Sequence, residues 1–211
     1  MYIPSHFEET RVEVLHALIH AHPLGTLVAM TSGGLQADHL PFIVDAVPAP
    51  FGTLRGHVAR ANPLWRDVPG ADVLAIFSGP QTYVSPSWYP GKQEHGKVVP
   101  TWNYAVVHAH GPLQVIDDRE WLRAFVTRLT RRHETARRDP WNVADAPPDY
   151  IDRMLEAIVG IEVPITRIIG KWKVSQNRAP ADRAGVADNL EREGGDAAGA
   201  MARLVRTTPR P

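Results

Sequence analysis

The sequence predicts an α+β fold, mostly β, in which short strands close as a small barrel with flanking helices. Three observations carry that reading. Short apolar runs bounded by Gly, Pro and Ser recur along the chain, whereas helical periodicity is confined to its start, its middle and its end. There is no internal repeat and no linker long enough to divide two domains. The 211 residues are 44% apolar, enough for one substantial core. The expected organisation is therefore a barrel domain with an N-terminal helix over residues 1–178, and a C-terminal helical extension over 179–211 packed on the same domain. A sheet of several short strands escapes exposed edges most economically by closing.

Taken in order, Ser5 with Glu8 three residues later forms a capping-box pattern, and Val12, Leu15, Leu18 and Ile19 follow at helical spacing, so a helix is expected from Phe7 to His20. His22-Pro23 ends it. Gly25–Thr31 and His39–Val44 flank the Ser32-Gly33-Gly34 turn signal as a hairpin. Leu54–Val58 is a third strand, and Val73–Ser78 a buried fourth that Gly79-Pro80 should break or bend. Gln81–Thr101, rich in Pro, Tyr, Trp and Ser, is expected to be a binding loop or an interface arm. Asn103–His110 is a strand that Gly111–Ile116 continues through a bulge or turn. Asp117-Asp118 caps a helix with Trp121, Phe125 and Leu129 at i+4 spacing, and Arg131-Arg132-His133 suits its negative pole. A further helix is expected over Tyr150–Val159 and a strand over Ile161–Ile169. Two helical segments, 182–193 and 197–205, are split by Gly194-Gly195.

Lys plus Arg and Asp plus Glu both number 23, so no global positive field is available to hold a nucleic-acid backbone. Direct DNA contact would need a local patch. The one basic cluster, Arg128, Arg131, Arg132, Arg137 and Arg138, lies at a helix end and in the following loop, and is read as a solvated face. The absence of Cys excludes disulfides, thiolate catalysis and Cys-ligated metal. The first residues lack a signal-peptide pattern and no apolar run approaches the ~20 residues of a membrane span, so a cytoplasmic protein without membrane contact is expected.

Six blocks in order carry a family resemblance: Met1-Tyr2-Ile3-Pro4 with Phe7, His39-Leu40-Pro41-Phe42, Gly56-His57-Val58-Ala59-Arg60-Ala61-Asn62-Pro63, Tyr83-Val84-Ser85-Pro86-Ser87-Trp88-Tyr89, Val99-Pro100-Thr101-Trp102-Asn103-Tyr104, and Lys171-Trp172-Lys173-Val174-Ser175-Gln176-Asn177-Arg178. Together they resemble the PaiB-like family of FMN-binding negative transcriptional regulators. The resemblance implies a split β-barrel related to pyridoxamine-phosphate oxidases and flavin reductases, a homodimer, and FMN at the dimer interface.

FMN requires donors for its phosphate, partners for the pyrimidine edge and apolar or aromatic surface for its ring. His57, Arg60 and Asn62 lie within one turn of chain and can serve the phosphate; alternatively Arg60 is a surface charge and Asn62-Pro63 a turn initiator. In Trp102-Asn103-Tyr104, the two aromatics share a strand face and can cover a ring or pack a dimer interface. Trp88 and Tyr89 can line a pocket mouth or anchor their own loop. Lys171, Lys173 and Ser175 alternate against Trp172 and Val174; the lysines are either solvated or, with Gln176 or Asn177, reach a cofactor or substrate in the partner subunit. Among ten histidines, His16 with His20 and His108 with His110 can each offer two metal ligands, and the latter pair can also be axial haem ligands, but neither comes with a third ligand at characteristic spacing. No nucleotide-binding glycine loop and no nucleophile elbow is present. Three functions remain: an FMN-binding regulator, an FMN-dependent oxidoreductase or flavin reductase without DNA contact, and a haem-binding split barrel.

Overall fold

A computed structural model describes residues 1–209. It contains strands β1 (Glu8–Glu9), β2 (Leu24–Thr31), β3 (Gly34–Pro41), β4 (Ile43–Asp45), β5 (Thr53–Ala59), β6 (Asp72–Val84), β7 (Thr101–Pro112), β8 (Gln114–Ile116), β9 (Ile158–Pro164) and β10 (Arg167–Lys173). Its helices are α1 (Val12–Ala21), α2 (Leu64–Asp67), α3 (Gly91–His95), α4 (Arg119–Glu134), α5 (Pro148–Glu156), α6 (Pro180–Glu193) and α7 (Asp196–Thr207). The chain divides into two compact units, one of Met1–Ala21, Ser78–Val107 and the described part of Ile169–Pro211, the other of His22–Phe77 and His108–Ile168.

In the first unit the strand order is β1-β10-β7-β6. Helix α1 is seated on this sheet where glycines leave room: a Cβ at Gly170 would come within 2.2 Å of Leu15 Cδ2, and one at Gly79 within 2.8 Å of Leu18 Cδ1. The α6–α7 hairpin turns at Gly194 and Gly195, both at positive φ, and buries Val186, Leu190, Met201 and Val205. It grips the segment after β6 at two points. Asp182 accepts a hydrogen bond from Gly91 N at 2.9 Å, and Gly185 lies so close to the Trp88 carbonyl that a Cβ would fall 2.2 Å from its oxygen.

In the second unit one sheet has the order β4-β5-β9-β8 and another the order β6-β2-β3. The hairpin register runs from Leu24↔Pro41 to Thr31↔Gly34, and β5 pairs with β9 from Thr53↔Pro164 to Ala59↔Ile158. Asp118 caps α4 by accepting from Trp121 N at 2.7 Å, as its position before the helical repeat predicts. Leu122, Ile151 and Leu155 pack α4 and α5 together.

Four local expectations are corrected. Ser5 does not cap the expected α-helix: it opens only a one-turn 3-10 helix, Ser5–Phe7, after which Glu8 and Glu9 are drawn into β1 opposite Lys171 and Gly170, and α1 begins only at Val12. The second hairpin strand starts at Gly34 rather than His39, because this polar, half-exposed strand lies at a sheet edge where long apolar side chains are not needed. Gly79-Pro80 does not end β6, which runs on to Val84. Its pairing with β2 stops at Ile76, so Pro80, lacking an N–H, lies beyond the stretch where β2 requires one. Ile161–Ile169 is not one strand: β9 ends at Pro164, Ile165 N donates to Gly52 O and Thr166 N to His110 O, and β10 resumes in a different sheet.

Candidate functional site

Within the first unit, β7 and β10 bring together four of the residues singled out from the sequence. Lys171 Nζ donates to Tyr2 O at 3.1 Å and lies over two rings, 5.4 Å from the centroid of Tyr104 and 5.9 Å from that of Tyr2. Lys173 Nζ donates to Thr101 Oγ1 and, at 2.7 Å, to Trp102 O. Trp102 is 50% exposed and meets the 47% exposed Tyr83 edge to face, with centroids 6.3 Å apart. Lys171, by contrast, is buried, so the alternation along β10 does not leave its lysines on a simple solvent face.

Asn103 and Gln176 are turned to the chain itself. Asn103 is buried on the β7 face opposite Trp102 and Tyr104, with its Nδ2 2.9 Å from Ser175 Oγ. Gln176 is buried too; its Oε1 accepts from Val174 N at 2.9 Å and its Nε2 donates to Trp172 O. Tyr89 anchors its loop: it is 2% exposed, with the Arg178 guanidinium 5.1 Å from its ring centroid.

Among the described residues, no carboxylate lies within ion-pair distance of Lys171, Lys173 or Arg178. Burial, followed by the charges of Lys171 and Arg178, holds the Lys173 ammonium below the usual lysine range. Such a donor set lacks a counter-charge and borders two half-exposed rings. It fits a ligand that presents acceptor oxygens on a planar ring system, which is the chemistry of FMN.

The three residues expected at the phosphate all belong to the second unit. Arg60 donates through Nε to Glu156 O at 2.7 Å, through Nη2 to Ile158 O at 3.1 Å, and through both terminal nitrogens to Asp117 at 2.9 and 2.6 Å. The fork on Asp117 holds that carboxyl below the usual range. Asn62 Nδ2 donates to Asp38 Oδ1 at 2.9 Å while its Oδ1 accepts from Leu64 N at 2.9 Å, starting α2. His57 stands edge-on to Phe125, centroids 5.8 Å apart; its Nδ1 is buried without a hydrogen-bond partner among the described residues, and burial pushes its pKa down. Arg60 and Asn62 are thus held by separate carboxylates rather than converging on one point.

His108 and His110 stand 6.5 Å apart on β7, and Arg167 Nη2 lies 3.1 Å from His110 Nε2. Burial and the neighbouring His110 and Arg167 lower the His108 pKa to about 4. Among the described residues no three His, Asp or Glu side chains are grouped to hold a metal ion. Sequence reasoning did not find Tyr2 and Tyr83 as members of the aromatic group. The signal for Tyr83 is the alternation after Pro80, which the strand break expected at Gly79-Pro80 masks.

Comparison with known proteins decides the family. The family described as "Putative FMN-binding domain" matches residues 1–167. The chain belongs to it. This FMN-binding-domain protein is 32% identical to the protease synthase and sporulation protein PAI 2 of Bacillus subtilis, over 97% of its own length and 96% of the relative's. It is 34% identical to an uncharacterised protein of Emericella nidulans, over 98% and 96% of the two lengths. Among solved structures, the FAD and haem binding protein of Mycobacterium smegmatis matches with TM-score 0.57 at 18% identity, covering 79% of this chain and 73% of that one. A conserved hypothetical protein of Mycobacterium tuberculosis matches with TM-score 0.56 at 13% identity, covering 82% and 91%. The fold is the split barrel, with an antiparallel β framework and flanking helices.

Proposed function

We propose that this FMN-binding split barrel works as a cytoplasmic homodimer of the PaiB type, with Trp102, Tyr104, Lys171 and Lys173 serving the flavin ring in the partner subunit and Arg60 serving the phosphate. The observation that carries this is the pair of lysines without a carboxylate, set against half-exposed aromatic surface. FMN supplies redox chemistry at its ring when bound; the chain supplies orientation and positive charge. At the phosphate end, Arg60 exchanges Asp117 for the ligand. That exchange is cheap, because the Arg60–Asp117 pair is largely solvent-exposed and such pairs contribute little.

A regulatory role of this protein acts without direct DNA contact. In the basic cluster, Arg128 Nη2 is 2.8 Å from Asp45 and Arg137 Nε 3.0 Å from Glu134, so part of its charge is neutralised internally. With 23 basic and 23 acidic side chains, no surplus remains elsewhere.

The test is titration of the purified protein with FMN and riboflavin, combined with sedimentation at micromolar concentration and the absorbance spectrum. A dimer that binds FMN and loses it in K171Q/K173Q supports the proposal. A clean monomer, unchanged FMN binding in that variant, or a Soret band in place of flavin bands overturns it.

A further inference from the structure

Between α4, α5 and the one-turn 3-10 helix Val143–Asp145, the second unit holds a cleft of about 550 Å³, within the size range of small-molecule sites. Its floor is apolar, formed by Val143, Ala146 and Ile151, which belong to the α4–α5 packing cluster. Its polar wall is formed by Arg123, Thr130 and Arg131 on α4.

The acids near this wall pair with arginines other than Arg131 or with backbone N–H groups. Asp152 pairs with both Arg119 and Arg123. Asp145, which also lines the cleft, accepts from Asn142 N at 2.7 Å, and Glu134 is taken by Arg137 and by Trp141 N. The guanidinium of Arg131 has no hydrogen bond or ion pair among the described residues, and neither does the hydroxyl of Thr130. A basic fork that no carboxylate pairs with among the described residues therefore borders the cleft, above an apolar floor.

We propose that this cleft binds a small organic carboxylate with an apolar body, its carboxylate held by Arg131 and Thr130 and its body lying on Val143, Ala146 and Ile151. The planar guanidinium takes a carboxylate bidentately. The floor favours an aryl or short alkyl group over a fully hydrated anion, because covering Val143, Ala146 and Ile151 removes apolar surface from water. The inference does not depend on the flavin reading, since no residue of the cleft is assigned to FMN. It gives part of the basic cluster a ligand other than a nucleic acid.

Isothermal titration of the full chain with 4-phenylbutyrate and with its uncharged amide tests it. The acid is expected to bind and the amide to bind about ten-fold or more weakly, the loss of a charge-assisted hydrogen-bonded pair. R131Q should abolish that preference and R131K retain part of it, whereas R137Q, whose side chain is engaged by Glu134, should behave as the parent. An unchanged far-UV circular dichroism spectrum and Tm in R131Q establish that the variant is folded. Equal binding of acid and amide, an R131Q protein indistinguishable from the parent, or no binding of either compound at millimolar concentration would overturn the proposal.

Discussion

Asn103 on β7 and Ser175 just beyond β10 hold each other across the first unit, Asn103 Nδ2 standing 2.9 Å from Ser175 Oγ in a buried pair. Ser175 adopts φ 64°, the one non-glycine residue at positive φ among the described residues. Its backbone is therefore strained while its side chain is tied down, and the two effects can be separated. S175A keeps the strain and leaves the buried Asn103 amide short of a partner, costing ~1–3 kcal/mol of stability. S175G also loses the bond but relieves the left-handed strain, and should be the less destabilised of the two by roughly 1 kcal/mol. Urea denaturation of both variants decides it, and an S175G protein no more stable than S175A would show that the φ value carries no cost.

Arg60 gives the sharpest test of the phosphate assignment. R60A should weaken FMN by roughly one to two decades while leaving riboflavin, which lacks the phosphate, nearly unchanged. D117N should preserve FMN binding, because the ligand replaces that carboxylate. Equal weakening of FMN and riboflavin in R60A would assign Arg60 to its hydrogen bonds with Glu156 O and Ile158 O, a role in joining β5 to the end of α5.

His108 predicts an acid-sensitive fold. Its pKa falls from an ordinary 6.5 to about 4 in the folded chain. Above the ordinary value both states carry neutral imidazole and the group contributes nothing to the pH dependence. Between about 6.5 and about 4 the unfolded chain takes up a proton that the folded chain refuses, so stability falls as pH falls; below that window the loss is complete. Thermal melts from pH 7 to pH 5 should show Tm decreasing, and H108N should flatten that slope. An unchanged slope would place the acid sensitivity in other groups.

For nucleic acid, the purified protein should give no sequence-specific complex at about 150 mM salt, where screening is already short-ranged. An electrophoretic shift with promoter fragments from its own genome, competed with random DNA, measures this. A competitor-resistant complex lost in R131A/R132A would restore the direct-regulator reading.

The elements that were legible from the sequence are those whose signal is local. Asp118 precedes a helical repeat of Trp121 and Phe125, and the α4 cap forms there; Gly194-Gly195 separates two helical segments, and α6 and α7 part there. What stayed hidden depends on a distant partner. Glu8 and Glu9 read as the first turn of a helix until β10 pairs with them, and Pro80 reads as a terminator until the reach of β2 is known. The same division holds at the site. Lys171 and Tyr104 were legible as residues of the right kind, but the ring of Tyr2 beneath the same ammonium depends on how the N-terminus meets β10.

The stretch that matches the family ends at residue 167, where β10 is only beginning. A chain shortened to that boundary would retain every strand of the second unit's four-stranded sheet, yet lose the partner of Glu8 and Glu9, the glycine against which Leu15 rests and the carboxylate that holds Gly91 N. Recombinant work with such a fragment is expected to meet aggregation rather than a smaller, working flavoprotein. The edge of the matched stretch and the edge of the first unit fall here at different residues.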